Sequence, residues 1–397
     1  MDVTTNAPAA YLDSAADASR FLGSIADTTI LALDTEGASF HRFIDRIYLL
    51  QLSTRTRSAI IDPLPVGALP ELGRVVEDPG VEIVFHDADY DLRLLHQDYG
   101  WHATNIFDTR IASQLIGLKA FGLAALLERY FGVKLDKKHQ RADWSLRPLS
   151  RDMLDYAAQD TLYLLDLRDR LKAELELLGR WEWAAEEFAR LEGTRWPPDD
   201  DSGFLRVKGA RDLDRRQLAL FRELVQWRDS VAREIDRATF RVVGNEVLMD
   251  VARTVPTTRE ELAAIKGMPR GMLERAAADI LAAVRRGRAV PDADLPRFPR
   301  AARWDRDPEF DDKVARLKKI RDDAAERLQV DPGVLCSRDR MEAVVRRAPA
   351  TVDELLDLKE LRRWQVGEMG EQFVTALAGT RPAAPKAELD DTSPYRD

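Results

Sequence analysis

Only one cysteine, Cys336, occurs in 397 residues, so the chain can form no internal disulfide, and such scarcity fits a reducing compartment. The 5 histidines and that cysteine nowhere take the spacing of a zinc site. No apolar run approaches the roughly 20 residues that a membrane-spanning helix needs. Met1 to Ala10 has neither the basic start nor the apolar core of a secretion signal. These absences predict a cytoplasmic protein without membrane contact, and no segment signals an obligate protein partner. Excess positive charge is missing too: 60 Lys and Arg face 69 Asp and Glu, for a net charge of -9. A role on nucleic acid would therefore need a local basic groove within an acidic whole.

What is present is a soluble globular composition, 45% hydrophobic and 32% charged, at a length that favours two or three domains. The chain reads outward from Leu31-Ala32-Leu33-Asp34-Thr35-Glu36, an apolar run ending in two carboxylates one residue apart. A strand sends alternate side chains to opposite faces, so Asp34 and Glu36 share one face and Thr35 takes the other. Carboxylates beside a buried strand lose hydration, and a hard cation held by oxygen ligands would offset that loss. The plainer reading is an acidic strand end that opens a turn.

In chain order, Leu12–Ile25 reads as a short helix, and strand signals follow at 29–33, 46–52 and 58–61, spaced as an antiparallel meander. Val81–Phe85 reads as a buried strand, and the segment from His86 to Leu95 opens a helix with acidic residues in its first turn. Helical patterns follow at 109–116 and 123–130. Lys134, Lys137, Lys138, Arg141, Arg147 and Arg151, interleaved with Trp144, then suit a nucleic-acid strand, with phosphates on cations and a base on the ring; a solvated loop is the alternative. Ser150 caps a long helix running to about Leu178.

Beyond Arg195 the pattern becomes all-helical and repeats. Trp227-Arg228-Asp229 answers Ile320-Arg321-Asp322, Pro256 answers Pro349, and Thr258-x-x-Glu261-Leu262 answers Thr351-x-x-Glu354-Leu355, at one constant offset. The Thr-x-x-Glu pair is a capping box. Leu218, Phe221, Leu224, Val231 and Ile235 form the expected core stripe of the first repeat. Lys266-Gly267-Met268-Pro269-Arg270-Gly271 offers free N–H groups to a phosphate, whereas the matching Lys359-Glu360-Leu361-Arg362-Arg363 lacks the glycines and gains an acid. Lys313, Arg316, Lys318, Lys319 and Arg321 would add a basic face.

The carboxylates now form a set: Asp34 and Glu36 at a strand end, Asp91 at a helix start, and Asp160 within the Ser150 helix, with Tyr156 one turn before it on the same face. Such a set suits two divalent cations roughly 3.5–4 Å apart, the arrangement that clamps both oxygens in phosphoryl transfer. Asp34-x-Glu36, His86-x-x-x-x-Asp91 and Tyr156-x-x-x-Asp160 resemble the motifs of the DEDD exonuclease superfamily in its tyrosine branch. Phe107-Asp108-Thr109 and Gln140-Arg141-x-Asp143-Trp144-x-x-Arg147-Pro148-Leu149 narrow the resemblance to the ribonuclease D family, whose C-terminal HRDC modules the two repeats resemble; the likeness spans about 10–380.

That resemblance implies an α/β catalytic domain with a ribonuclease H-like mixed sheet, followed by two small all-α HRDC-like domains. The expected bounds are 1–195 for the exonuclease domain, linkers at 196–211 and 291–309, repeats at 212–290 and 310–380, and a disordered tail at 381–397. It implies a 3′-5′ exoribonuclease using two divalent cations, Mg²⁺ or Mn²⁺, on RNA 3′ ends such as tRNA precursors. Asp34, Glu36 and Asp160 would hold the first cation, Asp34 would reach the second, Asp91 would act on it through water, and Tyr156 would orient the attacking water. Register and periodicity select Asp91 over Asp87 and Asp89, which belong to the helix's first turn. Phe40, His86, Gln140, Arg141, Trp144 and Arg147 would contact substrate. Action on DNA, and a catalytically dead nucleic-acid-binding scaffold, are the alternatives.

Overall fold

A computed structural model describes residues 9–135, 138–197, 202–299 and 307–379. Lys137, residues 198–201 and 300–306 of the two expected linkers, and the expected tail lie outside them.

Among the described residues six strands, β1 (Ala10–Leu12), β2 (Ile30–Glu36), β3 (Leu49–Ser53), β4 (Ser58–Ile61), β5 (Glu82–Phe85) and β6 (Ile106–Asp108), form one mixed sheet in the order β1-β4-β3-β2-β5-β6. The expected meander is present as antiparallel β2, β3 and β4, whereas β5 and β6 run parallel to β2. The helices that accompany the sheet are α1 (Ala15–Gly23), α2 (Pro63–Val66), α3 (Pro70–Val76), α4 (Asp89–Tyr99), α5 (Thr109–Ile116), α6 (Leu123–Phe131), α7 (Arg151–Leu162), α8 (Leu164–Leu177) and α9 (Trp181–Leu191).

Strand alternation sorts the two faces. Leu31 and Leu33 enter a core with Leu22, Leu72 and Leu94 from α1, α3 and α4. Ala32 faces the other way, into a core with Leu164, Leu167 and Leu171 of α8. Asp34 and Glu36 follow the parity of Ala32, so they lie on the side covered by α7 and α8, as the period-two pattern requires.

Several expectations change. The N-terminal helix is shorter, because Ala10–Leu12 pairs in parallel with β4 and Ser14 then caps α1. The short strand β6 adds an edge to the sheet that the sequence pattern does not signal. Asp87 precedes α4 in a left-handed turn, φ 67°, and is not part of its first turn. The single helix expected from Ser150 is two, parted at Tyr163. The break re-aims the buried side: Ala157 of α7 lies on Leu49 and Ile60 of the meander, whereas Leu164 and Leu167 of α8 join the core behind β2 and β5.

The remaining helices are α10 (Arg215–Glu234), α11 (Thr239–Val242), α12 (Asn245–Thr254), α13 (Arg259–Ala263), α14 (Arg270–Ala289), α15 (Phe310–Leu328), α16 (Pro332–Leu335), α17 (Arg338–Arg347), α18 (Val352–Asp357) and α19 (Arg363–Leu377). They form two similar bundles, α10–α14 and α15–α19. Thr258 and Thr351 cap α13 and α18 as the repeat implies. Ile235 falls just past the end of α10 and is 49% exposed, so the core stripe stops one turn earlier than expected. The expected basic face on α15 is largely neutralised: Lys313 is buried against Asp307, and Lys318, Lys319 and Arg321 pair with Asp322, Asp323 and Asp322, while Arg316 stays exposed.

The bundles attach differently. The first has its own core around Phe221, Leu224 and Ile280. The second shares one with the catalytic domain, where Leu171, Leu175 and Phe188 join Leu317, Trp364 and Phe373. Trp183 and Trp364 stack at 4.7 Å, and Arg362 pairs with Glu187 at 3.1 Å, which removes that arginine from any phosphate. Gly117, at φ +96°, lets the Gln329 carbonyl come so close that a Cβ would overlap it. A left-handed residue other than glycine costs roughly 1 kcal/mol before any clash. Gly117→Ala should lower the thermal midpoint by about 2–4 °C or more; an unchanged midpoint would show that the seam tolerates displacement.

Candidate active site

The site begins where β2 outruns its neighbour. β5 pairs with β2 only as far as Ala32 and Val84, so the Thr35 amide has no strand partner on that edge. Asp91, in the first turn of α4, takes it: Oδ1 accepts from Thr35 N at 2.9 Å and from Thr35 Oγ1 at 2.6 Å. Asp91 thus approaches from the layer opposite Asp34 and Glu36 and fixes the residue between them. Asp87 instead pairs with Arg110, and Asp89 with Arg93, both at the surface. Of the three aspartates that open this segment, Asp91 is the one bonded to the end of β2.

On the other face α7 brings Asp160 to the strand end. Ligand oxygens of Asp34, Glu36 and Asp160 lie within 4.8 Å of one another. The position of α7 is set by a hydroxyl chain that leaves no mark on the sequence pattern: Ser53 Oγ lies 2.9 Å from Ser58 Oγ and 2.8 Å from Oγ1 of Thr161, the residue after Asp160. Burial pushes the Asp34 and Glu36 carboxyls well above the usual range, and neighbouring carboxylates add to it. Asp160 is pushed up to about 7 by burial and then by the charge of Asp91. Among the described residues no Lys or Arg forms an ion pair with the three. Gln51, opposite Asp34 on β3, is fully buried, and among the described residues neither of its amide atoms has a hydrogen-bond partner. An oxygen-rich cluster with no protein cation, beside an orphaned amide, fits divalent cations and water.

The cluster lies in a cavity of about 720 Å³, walled by Phe40, His41, His86, Tyr90, Gln140, Arg141 and Tyr156 and by the start of α6. Tyr156 and Asp160, one turn apart on α7, both reach it. Gly37 is required there, because the Tyr90 hydroxyl and the Asp45 carboxylate occupy the space of a Cβ; Tyr90 donates to Asp45, whose other oxygen accepts from Ala38 N. His86 is neutral, its pKa pushed down to about 4 by burial. Thr109 spends its hydroxyl proton on the Phe85 carbonyl, so His86 Nδ1–H donates to Thr109 Oγ1 at 2.9 Å and Nε2 keeps a free lone pair.

Two residues from the basic stretch have other work. Trp144 lies at the inner wall of the cavity but is 1% exposed, packed among Tyr48, Leu49 and Ala157 and 6.2 Å from the Tyr156 ring, so it backs Tyr156 more than it opens to a base. Arg147 forks onto buried Asp62 and donates to the carbonyls of Tyr48, Trp144 and Leu146, leaving little for a phosphate. It ties the stretch to the meander. Gln140 and Arg141 do reach the cavity, while Lys138 pairs with Asp152 and Arg151 with Asp155 at the surface. Tyr90, His41 and Gln51 carry no sequence signal, since their roles depend on what folds against them.

Comparison with known proteins accords with this geometry. Residues 10–176 match the 3′-5′ exonuclease family of the DNA polymerase A type, and the HRDC domain matches twice, at 217–284 and 312–377. Ribonuclease D of Granulibacter bethesdensis is 31% identical over 328 residues, covering 82% of this chain and 83% of that protein. Exosome complex component 10 of Mus musculus is 35% identical over 235 residues, 57% of this chain but 26% of the longer protein. The crystal structure of Escherichia coli RNase D superposes with a TM-score of 0.73 at 25% identity, over 93% of this chain and 98% of that one. A protein from Bifidobacterium adolescentis reaches a TM-score of 0.81 at 27% identity, over 94% and 97% of the two chains. By sequence, domain order and fold, the chain belongs to the ribonuclease D family of 3′-5′ exoribonucleases.

Proposed function

We propose that this exoribonuclease trims structured RNAs, tRNA precursors among them, one nucleotide at a time, with two Mg²⁺ or Mn²⁺ ions at the Asp34, Glu36 and Asp160 cluster. The observation that carries the proposal is the convergence of those three carboxylates within 4.8 Å at one end of the cavity. The Escherichia coli relative is an exoribonuclease involved in structured RNA processing, which supports the substrate class.

Divalent cations there would lower the pKa of an attacking water and offset charge building on the phosphate oxygens. The chain's own groups do the rest. Asp34, Glu36 and Asp160 supply the hard oxygen ligands. Asp91 fixes Thr35 with one oxygen, and its other oxygen would be left to hold a water. The Tyr156 hydroxyl, carried one turn from Asp160 and backed by Trp144, orients the attacking water. His86 Nε2, held unprotonated, accepts from a hydroxyl of the terminal ribose. Gln140 and Arg141 take the phosphate side of the cavity wall. The complete carboxylate set disfavours a dead scaffold.

A digest of end-labelled RNA and DNA of one sequence, with Mg²⁺ and with chelator, tests the reading. Cation-dependent shortening of RNA from the 3′ end is expected, and chelator-resistant cleavage would overturn it. Asp34→Asn or Asp160→Asn should lower kcat at least about a hundredfold, on the scale of losing one preorganised electrostatic contact. Tyr156→Phe should lower kcat with little change in KM, and a variant as fast as wild type would remove Tyr156 from the mechanism.

The raised carboxyl pKa values also fix a pH dependence. A carboxyl whose pKa is higher folded than unfolded stabilises the fold below its unfolded pKa, and that stability is lost as pH rises through the folded value. For Asp160 the window closes near about 7. The gain in thermal midpoint from Mg²⁺ over chelator should therefore grow from pH 5 to pH 8, because ionised carboxylates both repel one another and bind the cation. A gain that is flat or falling over that range would contradict the assignment.

A further inference from the structure

The loop between β2 and β3 lines the cavity and is fastened to the first helical bundle. Ala238 N donates to the His41 carbonyl at 3.2 Å, Phe43 N to the Asp236 carboxylate at 3.2 Å, and Arg241 Nε to the Phe40 carbonyl. Arg42 pairs with Asp236 at 3.5 Å, and the Arg233 guanidinium lies over the Phe43 ring. At this seam two large rings remain open to solvent, Phe40 at 47% and Phe240 at 54%. Their centroids are 6.4 Å apart, with planes crossing at 77°. Each carries an arginine: Arg141 stands 5.5 Å from the centre of Phe40, and Arg241 5.8 Å from that of Phe240.

Phe40 belongs to the cavity wall, and Phe240, outside that wall on the bundle, touches it edge-on. Rings flanked by guanidinium groups take single-stranded nucleic acid, with bases stacked on rings and phosphates on the cations. The rings are continuous with the cavity that receives the 3′ end, and their arginines complement a phosphate backbone within a chain of net charge -9. We propose that Phe240 and Arg241 of the first HRDC repeat, with Phe40, form a stacking subsite for a base of single-stranded RNA just upstream of the nucleotide in the cavity. The repeat is then part of the substrate path, and the seam places it there. This rests on the reading of the cavity as the site for an RNA 3′ end.

The test uses the full chain and a single-stranded RNA octamer, intact or with one base removed at each of the three positions nearest the 3′ end. Phe240→Ala should raise KM on intact RNA about fivefold or more, the low end for one base stacked on an aromatic ring, with kcat nearly unchanged. Phe240→Tyr should restore wild-type KM, whereas Phe240→Leu, which keeps apolar bulk without an aromatic face, should not. Removing the stacked base should raise KM for wild type but add nothing to Phe240→Ala. Phe240→Ala matching wild type, full rescue by leucine, or additive losses at all three positions would each overturn the subsite. Wild-type protein that fails to shorten RNA at all would instead overturn the underlying functional reading.

Discussion

Mutual repulsion among half-buried carboxylates is the constraint on which the rest of this structure depends. Asp34, Glu36 and Asp160 converge with no lysine or arginine paired to them among the described residues, and burial alone already disfavours their charged forms. An arrangement of that kind persists only when other interactions over-determine it. Here those are the Asp91 bonds to Thr35, which hold the strand end, and the Ser53 to Thr161 hydroxyl contact, which holds α7. On the proposed reading the destabilised cluster is the functional part, because a divalent cation would relieve it.

The layers around the cluster follow from the same need. A parallel partner, β5, that stops short leaves one edge of β2 open for α4, and the meander on its other edge supplies the floor beneath α7. Tyr163 then breaks the helix so that α8 can turn into the apolar core behind β2. That core continues without interruption into the second bundle, so the second repeat is built into the catalytic domain. The first repeat retains its own core and touches the catalytic domain through the Phe40 loop. The two repeats share a sequence pattern but not a mode of attachment.

Much of this is legible in the sequence, and the reasons are specific. The period of two places Asp34 and Glu36 on one face, the period of 3.6 places Tyr156 with Asp160, and the motif register selects Asp91 over its two acidic neighbours. These are local rules, and local rules survive folding. What stays hidden is tertiary. Nothing in the run from Lys134 to Arg151 says that Arg147 is spent on Asp62 or that Trp144 packs behind Tyr156 at the inner wall of the cavity, because both depend on distant residues of the meander. The charges on α15 read as a basic face until the aspartates within six residues of them are counted. The short strands β1 and β6, at three residues each, carry too little pattern to be seen without their partners.

The measurement that bears most directly on the central claim is anomalous diffraction from crystals of the full chain grown with Mn²⁺. Peaks are predicted about 2.0–2.2 Å from carboxylate oxygens of Asp34, Glu36 and Asp160, with the Thr35 to Asp91 bonds intact. Well-ordered carboxylates without a peak, in crystals of protein that is active with Mn²⁺, would contradict the account.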